Sequence, residues 1–337
     1  MGMEASMRHG LVALAGAVLL STPGWADDSS AALGAGGLVL TQAADIRMAK
    51  EDLYVSPKKV RIHFEFANDS AKDIDTIVAF PLPDIDMNEF TESPIGTLTD
   101  DPVNFVGFTV TADGRPVAPT VEQRAFYKGK DVTDIVKRAG VPLSLSDPKF
   151  GPLMEKLPAA QRKILEDAGL ADSESGSFEH PHWLVRTKFW WHQRFPAHGT
   201  VTLDHAYQPV TGQGFFTVYE MNNTESDGQY YFTTYCIDPA TKAAIAARLG
   251  GKNASLEDGG MLTRYDTDYI LMSGNNWKGP IGHFHMTLDK LKPDNILSLC
   301  WKGDLKKTGA TTFEFTADNF APRDNVRMLI LETAPKQ

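Results

Sequence analysis

The sequence predicts a mainly β protein: two β-sandwich-like units with a short helical insertion at about residues 130–170 and one further helix near 239–249. Three observations carry that reading. Apolar and polar residues alternate with a period of two in segment after segment, as half-buried strands require. Turn-forming dipeptides fall between those segments, Asp113-Gly114 being the clearest. Helix start and stop signals are confined to a few short stretches.

In chain order, "KKVRIHFEFANDS" places Val60, Ile62, Phe64 and Phe66 on one face and Arg61, His63 and Glu65 on the other, which suits an antiparallel strand covered on one side. "NDS" turns the chain. In "DIDTIVAFPLP", Ile74, Val78, Phe80 and Leu82 share a parity, while Pro81 and Pro83 withdraw ladder donors, as expected at the end of an edge strand. "FTVTADGRPVAPTV" is a hairpin about Asp113-Gly114. Asp131 is placed to cap a helix that buries Val132, Ile135, Val136 and Ala139 and stops at Gly140; Pro158 opens another that ends at Gly169. "ADSESGS" is a polar loop.

Strands resume with Trp183, Val185, Phe189, Trp191 and Phe195 in alternation, then Val201, Leu203, His205 and Tyr207. A second unit begins near Gly212. In it "YYFTTY" reads as an aromatic strand, and "DPATKAAIAARLGG" as a helix capped by Asp238 and stopped by Gly250. "DYILMSG", "GPIGHFHMTL", "NILSLCW", "TTFEFTA" and "NVRMLILE" read as strands.

The first residues follow the pattern of a secretory signal: Arg8, an apolar run from Leu11 to Leu20, then small residues at Gly24 and Ala26. That run is too short to span a bilayer, and no later segment approaches the necessary length. The expected division is a signal peptide over 1–26, one domain over 27–212 and a β-rich second domain over 213–337. The expected location is the periplasm or the exterior, after cleavage following Ala26. A net charge of −10 without a basic stripe argues against nucleic acid and anionic membrane surfaces. The 42% hydrophobic content argues against wholesale disorder. The two cysteines, Cys236 and Cys300, both fall in the exported part, where an even pair is expected to form one disulfide.

The order "HFEFANDS…IVAFPLP…FTVTADGRPV…VEQRAFY", followed by helices and "RFPAHGTVTLDHAY", resembles the VIT module of vault and inter-alpha-trypsin heavy-chain proteins. That resemblance implies that residues 27–212 form one β-sandwich carrying a helical insertion. "DDSSAALGAGGLVLTQAADIRMAKEDLYVSPKKVRIHFEF", "VAFPLPDID" and "NNWKGPIGHFHMTLDK" are similar to the bacterial exported family called domain of unknown function 4424. That similarity covers essentially the whole mature chain. It implies a fold and a compartment, and it brings no catalytic residue with it.

Read residue by residue, the chain offers little chemistry. "LGAGGLVL" lacks the spacing of a phosphate loop and precedes a strand, not a helix. Asp84, Asp86 and Asn88 begin like a calcium loop, but Glu89 stands where glycine is needed and Ile95 where a bidentate glutamate is needed. "DDSSA" fails the D-x-S-x-S pattern at Ala31, and named hydrolase signatures are absent. The metal candidates are His180 and His182 in "EHPHW" and His283 and His285 in "HFH"; the latter pair is expected to face water, opposite Phe284, Met286 and Leu288. Trp183, Trp190 and Trp191 crowd one strand with bulk on both faces, which suits either a buried strand or a binding surface. No cofactor, metal or catalytic residue is assigned. The expected function is that of an exported non-enzymatic module contacting a protein or small molecule; the alternative is an enzyme or metal-binding protein with its site near His180, His182 and the Trp183–Trp191 strand.

Overall fold

The computed structural model describes residues 29–34, 37–88, 99, 101–144, 146–172, 181–222, 226–251 and 260–333, and structural statements below concern these. The signal segment, His180, Glu89 and Ile95 lie outside them.

Two sheets face each other. The first has strand order β10-β9-β11-β5-β1-β2, with β6 also on β11. Its members are β1 (Ser29–Gly34), β2 (Gly37–Thr41), β5 (Ile74–Pro81), β6 (Ile85–Asp86), β9 (Thr120–Tyr127), β10 (Lys130–Asp131) and β11 (Leu184–Phe195). The second, eight-stranded, runs β17-β18-β15-β3-β4-β12-β7-β8. It comprises β3 (Ile46–Ser56), β4 (Lys59–Asn68), β7 (Thr109–Ala112), β8 (Arg115–Val117), β12 (Thr200–Tyr207), β15 (Ile281–Asp289), β17 (Lys306–Lys307) and β18 (Thr312–Phe320). Rings interdigitate between the sheets: Phe108 stacks on Phe189 at 4.4 Å, Phe80 meets Tyr207 at 5.5 Å, and Phe66 meets Phe195 at 6.1 Å. This is a β-sandwich with an aromatic core. The expected face of β4 is the buried one, with Val60, Ile62, Phe64 and Phe66 all in the core.

The hairpin at Asp113-Gly114 joins β7 to β8, both turn residues having positive φ (49° and 72°) as a two-residue loop demands. The helical insertion consists of α1 (Thr133–Arg138), α2 (Phe150–Glu155) and α3 (Ala159–Asp167), with Pro158 at the N-cap of α3. Asp131 sits one residue ahead of the α1 N-cap and accepts from the Thr133 N–H at 2.9 Å.

A third sheet, β13-β14-β19-β16, is formed by β13 (Thr211–Thr217), β14 (Met261–Tyr269), β16 (Ile296–Leu299) and β19 (Val326–Thr333). Three helices cover one face: α4 (Val218–Asn222), α5 (Ser226–Thr234) and α6 (Pro239–Arg248). Asp238 caps α6 by accepting from the Thr241 N–H at 2.6 Å. β19 is packed on both sides. Leu329 and Leu331 join Phe216, Tyr235 and Ile245 under the helices, while Met328 and Ile330 belong to the core shared with the sandwich.

Four expectations change. The chain does not divide between sheets at 212/213, because β15 and β18 complete the eight-stranded sheet, β15 lying parallel to β3. Parallel partners need long crossovers, and local periodicity cannot announce them. The second unit is a helix-covered sheet instead of a second sandwich. "YYFTTY" lies on α5 and its end, where i,i+4 spacing brings Tyr231 and Tyr235 within 6.3 Å. Lastly, β5 is an interior strand over Ile77–Ala79, flanked by β1 and β11; the prolines end it just beyond the reach of β1.

Candidate functional site

The expected site residues are placed as follows. His283 and His285 do share the outer face of β15. His283 Nδ1 lies 2.7 Å from Asp318, and His285 Nδ1 lies 3.0 Å from Asp52 with Glu314 3.6 Å from its Nε2. Cross-strand register continues this row from His285 to Asp52, His63 and Asp204, where His63 Nδ1 is 2.7 Å from Asp204. These are imidazole–carboxylate pairs at a water-facing surface. Among the described residues, no group of three or more His, Cys, Asp or Glu side chains is placed to share one ion. His182 is held by Asp172 at 3.3 Å and stacks over Tyr127.

The tryptophan strand is filled from both sides. Trp183 is 1% exposed and its indole donates to the Leu143 carbonyl at 2.9 Å; Trp191 is 4% exposed and packs in the sandwich. Trp190, on the opposite face, lies half-buried against Ala31 and Leu38 of the β1–β2 hairpin. Asp84 engages both oxygens with Arg186, at 3.0 and 2.7 Å.

One charged cluster lies between α5 and the third sheet. Arg264 donates to the Tyr231 hydroxyl and pairs with Asp266 at 2.8 Å. Burial pushes the Tyr231 phenol up to about 12, so it stays protonated at ordinary pH. Gly214 makes room for this arrangement, since a Cβ there would stand 2.9 Å from the Arg264 guanidinium. These contacts clamp helix to sheet.

A different place in the fold holds a cavity. The disulfide Cys236–Cys300 forms, with Cα atoms 5.0 Å apart, and ties the end of α5 to the end of β16. Trp301 follows immediately, and the chain then turns through Gly303 into the β17–β18 hairpin. At Gly303 a Cβ would stand 2.2 Å from the Phe315 ring and 2.6 Å from Trp301 Nε1, so only glycine lets this backbone lie against both rings. Trp301 meets Phe315 edge-on at 5.1 Å and Phe320 at 6.2 Å; Phe320 stacks on Phe284 of β15 at 4.6 Å. Trp301, Phe315 and Phe320 line a cavity of about 240 Å³ whose rim carries Lys302, Arg323 and Asp324. The Trp301 indole nitrogen is shielded from solvent and has no hydrogen-bond acceptor among the described residues. Rigid aromatic walls with charges at the mouth are the makings of a small-ligand site.

Sequence reasoning located Cys300 but missed this cavity. The available signal was the aromatic richness of "LCW", "FEF" and "NFAPR", which alternation absorbed into strands.

Comparison with known proteins adds a family. The sequence matches the family profile described as Domain of unknown function (DUF4424) over residues 26–329. No curated protein matches it. Among solved structures, a protein of Legionella pneumophila subsp. pneumophila str. Philadelphia 1, provisionally described as nutrient binding, is similar at 14% identity with a TM-score of 0.45, over 92% of this chain and 71% of that one. That likeness is too loose to transfer a ligand.

Proposed function

The chain belongs to the DUF4424 family, and from that premise we propose that it is an exported, non-enzymatic binding module that takes a small ring-bearing ligand into the Trp301 cavity. The observation that carries this reading is the cavity itself: three aromatic walls, Trp301, Phe315 and Phe320, with Arg323 at the mouth. Export is supported by the signal-like first residues and by the disulfide, which persists in oxidising compartments. Among the described residues, no helix is long and apolar enough to cross a membrane.

The test is a thermal-shift screen of single-ring metabolites against the mature protein and its Trp301→Phe and Trp301→Ala variants. Ligands of this site should raise the melting temperature of the parent, less so of Trp301→Phe and not of Trp301→Ala. Equal stabilisation of all three proteins, or of none, would refute the site.

A further inference from the structure

We infer that the ligand of the Trp301 cavity is a small carboxylate carried on a ring; this rests on the binding function proposed above and adds the charge and size of what is bound. The charges at the mouth do not cancel. Lys302 and Asp324 pair at 3.3 Å, whereas Arg323 has neither an ion pair nor a hydrogen bond among the described residues. One uncompensated guanidinium therefore stands at the entrance, on a chain whose net charge is −10. Guanidinium groups match carboxylates in charge and in the spacing of two parallel hydrogen bonds.

Arg323, the charged side chain of the site left without a partner among the described residues, is a donor, so a ligand matched to it brings acceptors. Aromatic walls alone would also suit an organic cation. Here Arg323 opposes one, and Asp324, the only carboxylate lining the cavity among the described residues, is already paired with Lys302.

Size narrows the class further. A cavity of about 240 Å³ falls below the roughly 300–1,000 Å³ of drug-sized sites. It fits a single ring with a short acidic arm. The edge-on placement of Trp301 against Phe315, at 77°, leaves walls against which a flat ring packs edge-to-face or offset.

Three probes that share one ring separate the possibilities by calorimetry on the mature protein: benzoate, benzyl alcohol and benzyltrimethylammonium. Benzoate should bind about tenfold tighter than benzyl alcohol, as a charge-assisted hydrogen bond allows. The ammonium should bind weakest, and the benzoate advantage should shrink with added salt. Arg323→Gln should bring benzoate down to the level of benzyl alcohol and leave the alcohol unchanged, while Arg323→Lys should retain part of the advantage. Arg323 is exposed, so both variants are expected to fold. Benzyl alcohol or the ammonium binding as tightly as benzoate would overturn the carboxylate assignment and leave the cavity as a binding site. Failure of all three probes would overturn both.

Discussion

In the sandwich, His205 lies among the rings of Phe64, Phe80, Phe108 and Trp191, with centroids 5.1 to 5.6 Å away and no carboxylate among them. In the helix-covered sheet, Asp266 and Asp268 lie on β14 with Arg264 and Arg327 beside them. Both regions hold ionisable groups, His205 buried and Asp268 partly exposed, but the environments act in opposite directions on folding. Burial lowers the His205 imidazole to about 3 and raises the Asp268 carboxyl to about 6. Acid therefore works against the first region and for the second. A core of packed rings tolerates an imidazole only while it is neutral, and a partly wet sheet face tolerates a carboxylate at a penalty that a proton removes.

The largest expected effect concerns His205. Its folded-state value lies below the unfolded one, so its contribution is intact above pH 6.5 and is lost as pH falls toward 3, a change on the order of 5 kcal/mol. His205→Leu should flatten the stability profile of the sandwich between pH 6.5 and 4 in denaturant melts. A profile as steep as the parent's would break the comparison.

Next comes the disulfide. It closes a separation of 64 residues, for which loop-entropy models give about 4 kcal/mol before strain. We take the helix-covered sheet and the sandwich to open separately. Cys236→Ser with Cys300→Ser should thus remove amide-exchange protection from α5, α6 and β16 while β4 and β12 keep theirs. Equal loss in both places would show one cooperative unit.

The smallest effect sharpens the contrast. The raised Asp268 value means that its stabilisation is complete below pH 3.8 and lost as pH rises through about 6. Its side chain is 43% exposed, so solvent screening reduces the expected gain of Asp268→Asn above pH 6 to about 1 kcal/mol. Melts of this variant at pH 7 and at pH 4 should differ from the parent only at pH 7.

What the sequence disclosed follows the reach of each interaction. The buried face of β4, the Asp113-Gly114 turn and the Asp238 cap are decided within a few residues, and all were legible. β3 was not, because Glu51 interrupts its alternation; it is nonetheless fully buried, accepting from the Tyr269 hydroxyl 218 positions away at 3.2 Å. The pairing of β15 with β3 is equally remote. The cavity lies between these cases. Cys300 and Trp301 are adjacent and visible, but Phe315, Phe320 and Arg323 reach them only once the β17–β18 hairpin has folded back.

The central claim is that a ligand enters beside Trp301, and the indole N–H resonance of that residue tests it most directly. The signal is assigned by its loss in Trp301→Phe and followed as benzoate is added to the mature protein. It should move progressively, and farther than the core indoles of Trp183 and Trp191. A Trp301 signal that stays in place while Trp190 or the core indoles move would contradict the account.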